Sequence, residues 1–252
     1  MFWWLLAAVL LLVLLAAAVV LVAAAVVDND RLYTDYNRFY RAILYNLVEV
    51  ILFVCRVKIE THGLEQVPQQ GRFLLVCNHL SVFDTITKIK VFRKYDLAFV
   101  SKPENFTIPV VGRILRRCCF MPIDRQNPRN AMTTINAAAA LLGQDTMNVA
   151  IYPEGTRSRK KVLLPFHGGV FKIAQKAKVP TVVCVVEHTD KVKERAPWKK
   201  TVVKLSVLRT IPVEEMLSKR SEAIGREVFQ LMQDALRETY PPLPAQTQEA
   251  QA

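Results

Sequence analysis

No charged residue occurs between Phe2 and Val27. The run is longer than the roughly 20 apolar residues that cross a bilayer, so it reads as a transmembrane helix with room to tilt. A signal peptide is the rival reading, but there is no basic n-region and the stretch exceeds the roughly 7 to 15 residues of an ordinary h-region. Cysteine is scarce: five residues, at 55, 77, 118, 119 and 184, give an odd count with no metal-ligand spacing. That argues against a disulfide framework and for buried thiols in a reducing compartment, with Cys77, Cys118 and Cys184 in apolar, strand-like runs. Zinc-finger spacing, a basic zipper and an aromatic RNA-binding signature are absent, which turns a net charge of +12 away from nucleic acid. Lipid head groups and phosphate-bearing substrates are the nearer anions. There is no Gly-x-Ser-x-Gly elbow to carry an acyl-serine, and no internal repeat.

What is present begins with the charge that follows the apolar run. Arg31, Arg38 and Arg41 come directly after it, and the positive-inside rule then places the body of the protein on the cytoplasmic side. A second apolar segment, Ala42 to Val57, carries Asn46 and Glu49 and is flanked by Tyr33, Tyr36, Tyr40 and Tyr45 and by Arg56 and Lys58. It reads as a helix in the membrane interface, so that residues 28–58 form an interfacial or partly embedded unit; a buried core helix is the alternative. Residues 59–240 suit one domain, and the Pro-, Gln- and Ala-rich residues 241–252 a disordered tail.

Beyond residue 57 strands alternate with helices. Strands are predicted at 57–61, 73–77, 97–100, 118–123, 148–152, 181–187 and 201–208, and helices near 83–92, 108–116, 128–143, 168–178 and 213–238. The pattern predicts an α/β fold, a mainly parallel sheet flanked by helices, behind a membrane-anchoring helical region.

The chemistry concentrates at predicted strand ends. Asn78-His79-Leu80-Ser81-Val82-Phe83-Asp84 follows an apolar strand and leads into a helix. An imidazole acts as a general base when one ring nitrogen faces a hydroxyl and the other is held by a carboxylate, and His79 and Asp84 can fill those roles if the chain turns between them. The same residues also read as a capping box, with Ser81 as N-cap and Asp84 at N3. A second cluster, Pro153-Glu154-Gly155-Thr156-Arg157-Ser158, offers a glycine, hydroxyls and a cation at another strand end. Gly155 permits close backbone approach, Thr156 can donate and Arg157 can pair bidentately with a phosphate; a solvated basic loop is the alternative. Asp124-Arg125 closes a third strand end.

Together these stretches resemble the glycerolipid acyltransferase family, and within it the 1-acyl-sn-glycerol-3-phosphate (lysophosphatidic acid) acyltransferases. The resemblance is carried by Asn78 to Asp84 for a His-x4-Asp block, Phe120 to Arg125 for a second block, Tyr152 to Ser158 for a Glu-Gly-Thr-Arg block and Val179 to Val183 for a fourth. Tyr152 stands where Phe is usual, Thr181 and Cys184 where Ile and Pro are frequent, and His167 where Lys is common. The resemblance implies acyl transfer from a thioester to the 2-hydroxyl of lysophosphatidic acid, giving phosphatidic acid in phospholipid biosynthesis. It implies His79 and Asp84 as catalytic residues and Arg125, Glu154, Gly155, Thr156 and Arg157 as substrate-binding residues. No metal or cofactor is called for, the co-substrate being a thioester of acyl carrier protein or coenzyme A. Membrane lipid, and acyl carrier protein as donor, are the expected partners.

Overall fold

A computed structural model describes residues 1–124, 126–158 and 160–240. Arg125 and the tail at 241–252 therefore lie outside the described residues.

Helix α1 (Phe2–Ala25) is long and apolar enough to span a membrane, and it is exposed along nearly all its length. Only its C-terminal end docks on the rest of the chain: Val20 packs against the core, the Tyr40 hydroxyl donates to the Ala23 carbonyl at 2.9 Å and Arg113 Nη1 to that of Ala25 at 3.1 Å. Helix α2 (Arg38–Val54) starts at Asn37, whose side chain accepts from the Tyr40 N–H. One face, with Leu44, Tyr45, Val48 and Leu52, is buried against the domain, while Phe39, Val50, Phe53 and Val54 on the other are exposed. The buried face makes α2 a core helix of the domain, the alternative that the sequence offered, and its other face is apolar and exposed.

Arg41 is 1% exposed, and its guanidinium donates to the Leu97 carbonyl at 2.7 Å and the Cys118 carbonyl at 2.9 Å. It ties α2 to the domain interior and is not free to face lipid head groups. The positive-inside count therefore rests on the exposed Arg31 and Arg38.

Among the described residues seven strands form one sheet: β1 (Val57–His62), β2 (Leu74–Cys77), β3 (Leu97–Ser101), β4 (Met121–Pro122), β5 (Asn148–Ile151), β6 (Thr181–Glu187) and β7 (Thr201–Ile211). Their order is β1-β7-β6-β2-β5-β3-β4, and every neighbouring pair is parallel except β6 with β7. The central β2, β5 and β6 are buried almost throughout, as strands covered by helices on both faces must be. The helices are α3 (Val82–Val91), α4 (Val111–Arg117), α5 (Pro128–Gly143), α6 (Lys172–Ala177), α7 (Asp190–Arg195), α8 (Val213–Ser218) and α9 (Ser221–Ala235).

Two predicted elements are corrected. The apolar run at 118–123 is mostly not a strand, because Cys118 and Cys119 close α4. Cys119 takes a left-handed φ of 63° and the Phe120 N–H reaches back to the Leu115 carbonyl at 3.1 Å, a Schellman-type ending that leaves only Met121 and Pro122 to pair. The single helix predicted over 213–238 is two. The Gln175 side-chain amide donates to the Met216 and Lys219 carbonyls, each at 2.8 Å, and so stabilises the break between α8 and α9. Four of the five cysteines are buried and all five are free, although Cys118 belongs to a helix end and not a strand.

Candidate active site

The parallel strands β2, β5 and β3 end on one edge of the sheet, and His79, the Glu154 loop and Lys102 follow those ends. Asn78, the first residue past β2, is fully buried. Its side chain accepts from the Val186 N–H at 2.8 Å and donates to the Val186 carbonyl at 2.9 Å and the Tyr240 hydroxyl at 2.8 Å, which fixes the point where the chain turns.

Past that turn Ser81 caps α3, its hydroxyl accepting from the Phe83 N–H at 3.0 Å, and Asp84 closes the capping box. The same carboxylate reaches His79. Asp84 Oδ2 accepts from the Leu80 N–H at 2.6 Å and the Ser81 N–H at 2.8 Å and lies 2.7 Å from His79 Nδ1, while Oδ1 accepts from the Thr189 hydroxyl. Capping box and dyad are thus one structure. The helix cap brings the carboxylate back over the preceding turn, which sequence spacing alone could not decide.

Asp84 is fully buried, and burial alone would raise its pKa. His79, Lys88 and Thr189 outweigh that and hold it below the usual carboxylate range. Burial, helped by the Lys88 and Arg157 charges, lowers the His79 pKa against the pull of Asp84. A low-pKa imidazole beside an ionised carboxylate is neutral, with its proton on Nδ1 and a free lone pair on Nε2.

The loop after β5 clamps this histidine by its backbone. Glu154 Oε1 accepts from the His79 N–H at 2.6 Å, Glu154 Oε2 from the Leu164 N–H at 3.0 Å, and the Ser158 N–H donates to the His79 carbonyl at 2.8 Å. Glu154 is 3% exposed, and burial pushes its carboxyl up to about 8 despite the two backbone donors. Glu154, which the resemblance places with the substrate-binding residues, holds the loop and the histidine together and is not among the cavity-lining residues. Gly155 has φ 71°, a conformation that side chains rarely adopt, and this turns Thr156 and Arg157 outward. Arg125 lies outside the described residues.

His79, Gly155, Thr156 and Arg157 line a cavity of about 520 Å³. Its walls are mostly apolar: Leu44, Val48 and Ile51 of α2, Ile86 and Ile89 of α3, Phe99 and Phe120. An apolar pocket with a few convergent polar groups is the ordinary form of a small-molecule site. The sequence did not reveal Lys102, which follows β3 and lines the same cavity. Its signal was available, since it occupies a strand end as His79 and Glu154 do. Nor did the sequence show that Tyr152 stacks on His79, with centroids 3.9 Å apart, or that Thr189 and Tyr240 brace the site from distant segments. His167 is not among the cavity-lining residues, and its N–H donates to the Pro153 carbonyl at 2.9 Å.

Comparison with known proteins sets this geometry in context. The family model described as Acyltransferase matches residues 58–187. A 1-acyl-sn-glycerol-3-phosphate acyltransferase of Bacillus subtilis is 28% identical over 194 residues, 74% of this chain and 94% of that protein. The chloroplastic 1-acyl-sn-glycerol-3-phosphate acyltransferase BAT2 of Brassica napus is 31% identical over 162 residues, 64% of this chain. The chain spans only 46% of the length of that plant relative. The crystal structure of the 1-acyl-sn-glycerophosphate acyltransferase PlsC from Thermotoga maritima aligns with a TM-score of 0.63 at 19% identity, covering 79% of each chain, a likeness of fold. The matched family region runs from β1 to the end of β6, covers just over half of the sequence and encloses both the His79–Asp84 pair and the Glu154–Arg157 loop. The chain belongs to the acyltransferase family.

Proposed function

We propose that this acyltransferase moves a fatty acyl group from a thioester to the 2-hydroxyl of lysophosphatidic acid, giving phosphatidic acid. The observation that carries the reading is the 2.7 Å contact between His79 Nδ1 and Asp84 Oδ2 beside an apolar cavity that also holds a guanidinium. The names of the Bacillus subtilis and Brassica napus relatives support the choice of acceptor.

His79 Nε2 takes the proton of the acceptor's 2-hydroxyl as that oxygen attacks the thioester carbonyl. Asp84 stabilises the imidazolium that forms. The tetrahedral oxyanion then collapses, the C–S bond breaks, and the departing sulfur takes the proton back from His79. An ester and a free thiol are produced, with no acyl-enzyme and no metal in the scheme. Arg157 and Lys102 supply positive charge for the acceptor phosphate, and the apolar walls take an acyl chain. Arg125 stays a proposed phosphate contact on the family resemblance alone. The thiol carrier is coenzyme A or acyl carrier protein.

The protein is proposed to be membrane-bound through α1, with the exposed apolar face of α2 in the interface and the catalytic domain on the cytoplasmic side. This rests on the exposed apolar length of α1 and on Arg31 and Arg38.

A panel of donors and acceptors given to the purified full chain tests the proposal. Turnover should be fastest with lysophosphatidic acid and should fall for acceptors without a phosphate monoester. Equal or faster turnover of an acceptor lacking that phosphate would reassign the substrate. No transfer to any lysolipid would leave a lipid-binding protein.

A further inference from the structure

Lys88 lies one turn beyond Asp84 on α3, is 1% exposed, and has no part in the steps above. Its ammonium donates to Cys77 Sγ at 3.3 Å and stands 4.8 Å over the Tyr152 ring. Among the described residues no carboxylate is within ion-pair distance of it. A thiol and an aromatic face are weak substitutes for water, so a buried ammonium must draw on the field of nearby negative groups to keep its charge. An aliphatic side chain would fill the same volume without that need. Packing does not account for a lysine here.

Its surroundings give it a use. Asp84 is a buried carboxylate, and a neutral His79 brings no charge to balance it. The Tyr152 ring beneath the ammonium is the one that stacks on His79, so the cation acts on the imidazole as well. Lys88 does not line the cavity and so does not touch substrate. We infer that Lys88 is a positioning residue of the acyl transfer, whose buried charge balances the Asp84 carboxylate and disfavours protonation of His79. The pair then rests as carboxylate and neutral imidazole, the state a general base needs; the inference rests on the proposed role of His79.

The other groups around His79 do not replace it. On the loop after β5, Arg157 lowers the His79 pKa too, but it is exposed and screened by solvent and salt. Burial raises the pKa values of Tyr152, Cys184, Glu154 and Tyr240, which favours their neutral forms. Burial opposes ionisation of Cys77, yet the Cys184 hydrogen bond and the Lys88 charge draw its thiol below the ordinary value. Burial also opposes the Lys88 charge, and Cys77, Tyr152, Asp84 and Cys184 more than offset this, so its pKa lies above the ordinary lysine value.

The test follows the His79 imidazole by NMR across pH in the full chain in lipid nanodiscs, its signal assigned by its loss in His79→Ala. Lys88→Met should raise the His79 midpoint by about one pH unit, the scale of one unit charge acting across a ring at an effective dielectric near 20. Lys88→Arg should stay within a few tenths of the wild type. Lys88→Gln, which keeps a donor toward Cys77, is read in the same way should Lys88→Met not fold. In turnover, the acid limb of the Lys88→Met profile should move up with the NMR midpoint, whereas a merely structural lysine would lower the rate and leave the midpoint in place. A neutral variant with the wild-type midpoint, or Lys88→Arg shifting as far as Lys88→Met, overturns the inference. The titration needs no substrate, so a shifted midpoint in a protein that acylates nothing would sink the proposed function and leave this inference standing.

Discussion

The Ser158 N–H donates to the His79 carbonyl oxygen at 2.8 Å. Glu154 takes the N–H of the same residue at 2.6 Å, so the loop that carries Arg157 also holds both backbone polar groups of the proposed base. Two sequence blocks separated by about 70 residues thereby act as one unit, and a change in the second should be felt at the first.

Glu154 gives that coupling a pH signature. Burial pushes its carboxyl up to about 8 in the folded protein, from an ordinary glutamate value of 4.5. A raised folded value favours the neutral form, so its contribution to stability is complete below about pH 4.5 and is lost as pH rises to about 8. Glu154→Gln removes the titration and turns one acceptor into a donor facing a backbone N–H, at roughly 1 to 3 kcal/mol. Denaturant unfolding of both proteins should show the wild-type advantage shrinking between pH 5 and pH 8. A constant difference across that range would contradict the account.

Arg157 is exposed beside the cavity, placed to hold an anion and not to stabilise the fold. A charge-assisted contact contributes about 1.5 to 3 kcal/mol, so Arg157→Ala should raise the apparent acceptor constant about 10-fold or more. Lys102→Met should move the same constant in the same direction. Initial rates with each substrate varied in turn check this, and equal losses toward donor and acceptor would point to a collapsed loop or a donor phosphate site.

Helix α1 touches the rest of the chain only near its C-terminal end. Deleting residues 2–19 spares the Tyr40 contact with Ala23 and the Arg113 contact with Ala25. The shortened protein should stay folded and associate less with membranes, measured by fractionation and by unfolding. Full-length protein released by salt or carbonate alone would rule out a spanning α1.

The strand ends were legible because buried parallel strands are short apolar runs and the polar residues after them stand out. The His79-to-Asp84 spacing was legible as a motif, but not as a contact, since only the formed capping box shows Asp84 Oδ2 turned toward His79. Residues that brace the site from afar left little trace. Tyr240 reaches Asn78 across 162 positions and Thr189 reaches Asp84 across 105, and no local pattern marks either. The apolar run at 118–123 misled because a helix end and a strand share its composition, and the break after α8 depends on Gln175, a tertiary partner. Lys88 left no such trace, since a lysine one turn after Asp84 reads as an ordinary solvent-facing helix residue and only the folded chain shows it buried.

The central claim is that His79, held by Asp84, removes the proton from the acceptor hydroxyl. General-base assistance contributes about 10² to 10⁴ in rate. Asp84→Asn should be severely impaired because an amide can present the wrong tautomer, and its loss should not add to that of His79→Ala. The most direct measurement is single-turnover acyl transfer to lysophosphatidic acid by folded His79→Ala protein at saturating acceptor. The account predicts a rate lower by about 10² to 10⁴ with acceptor binding retained; a folded His79→Ala protein with near-normal transfer would contradict it.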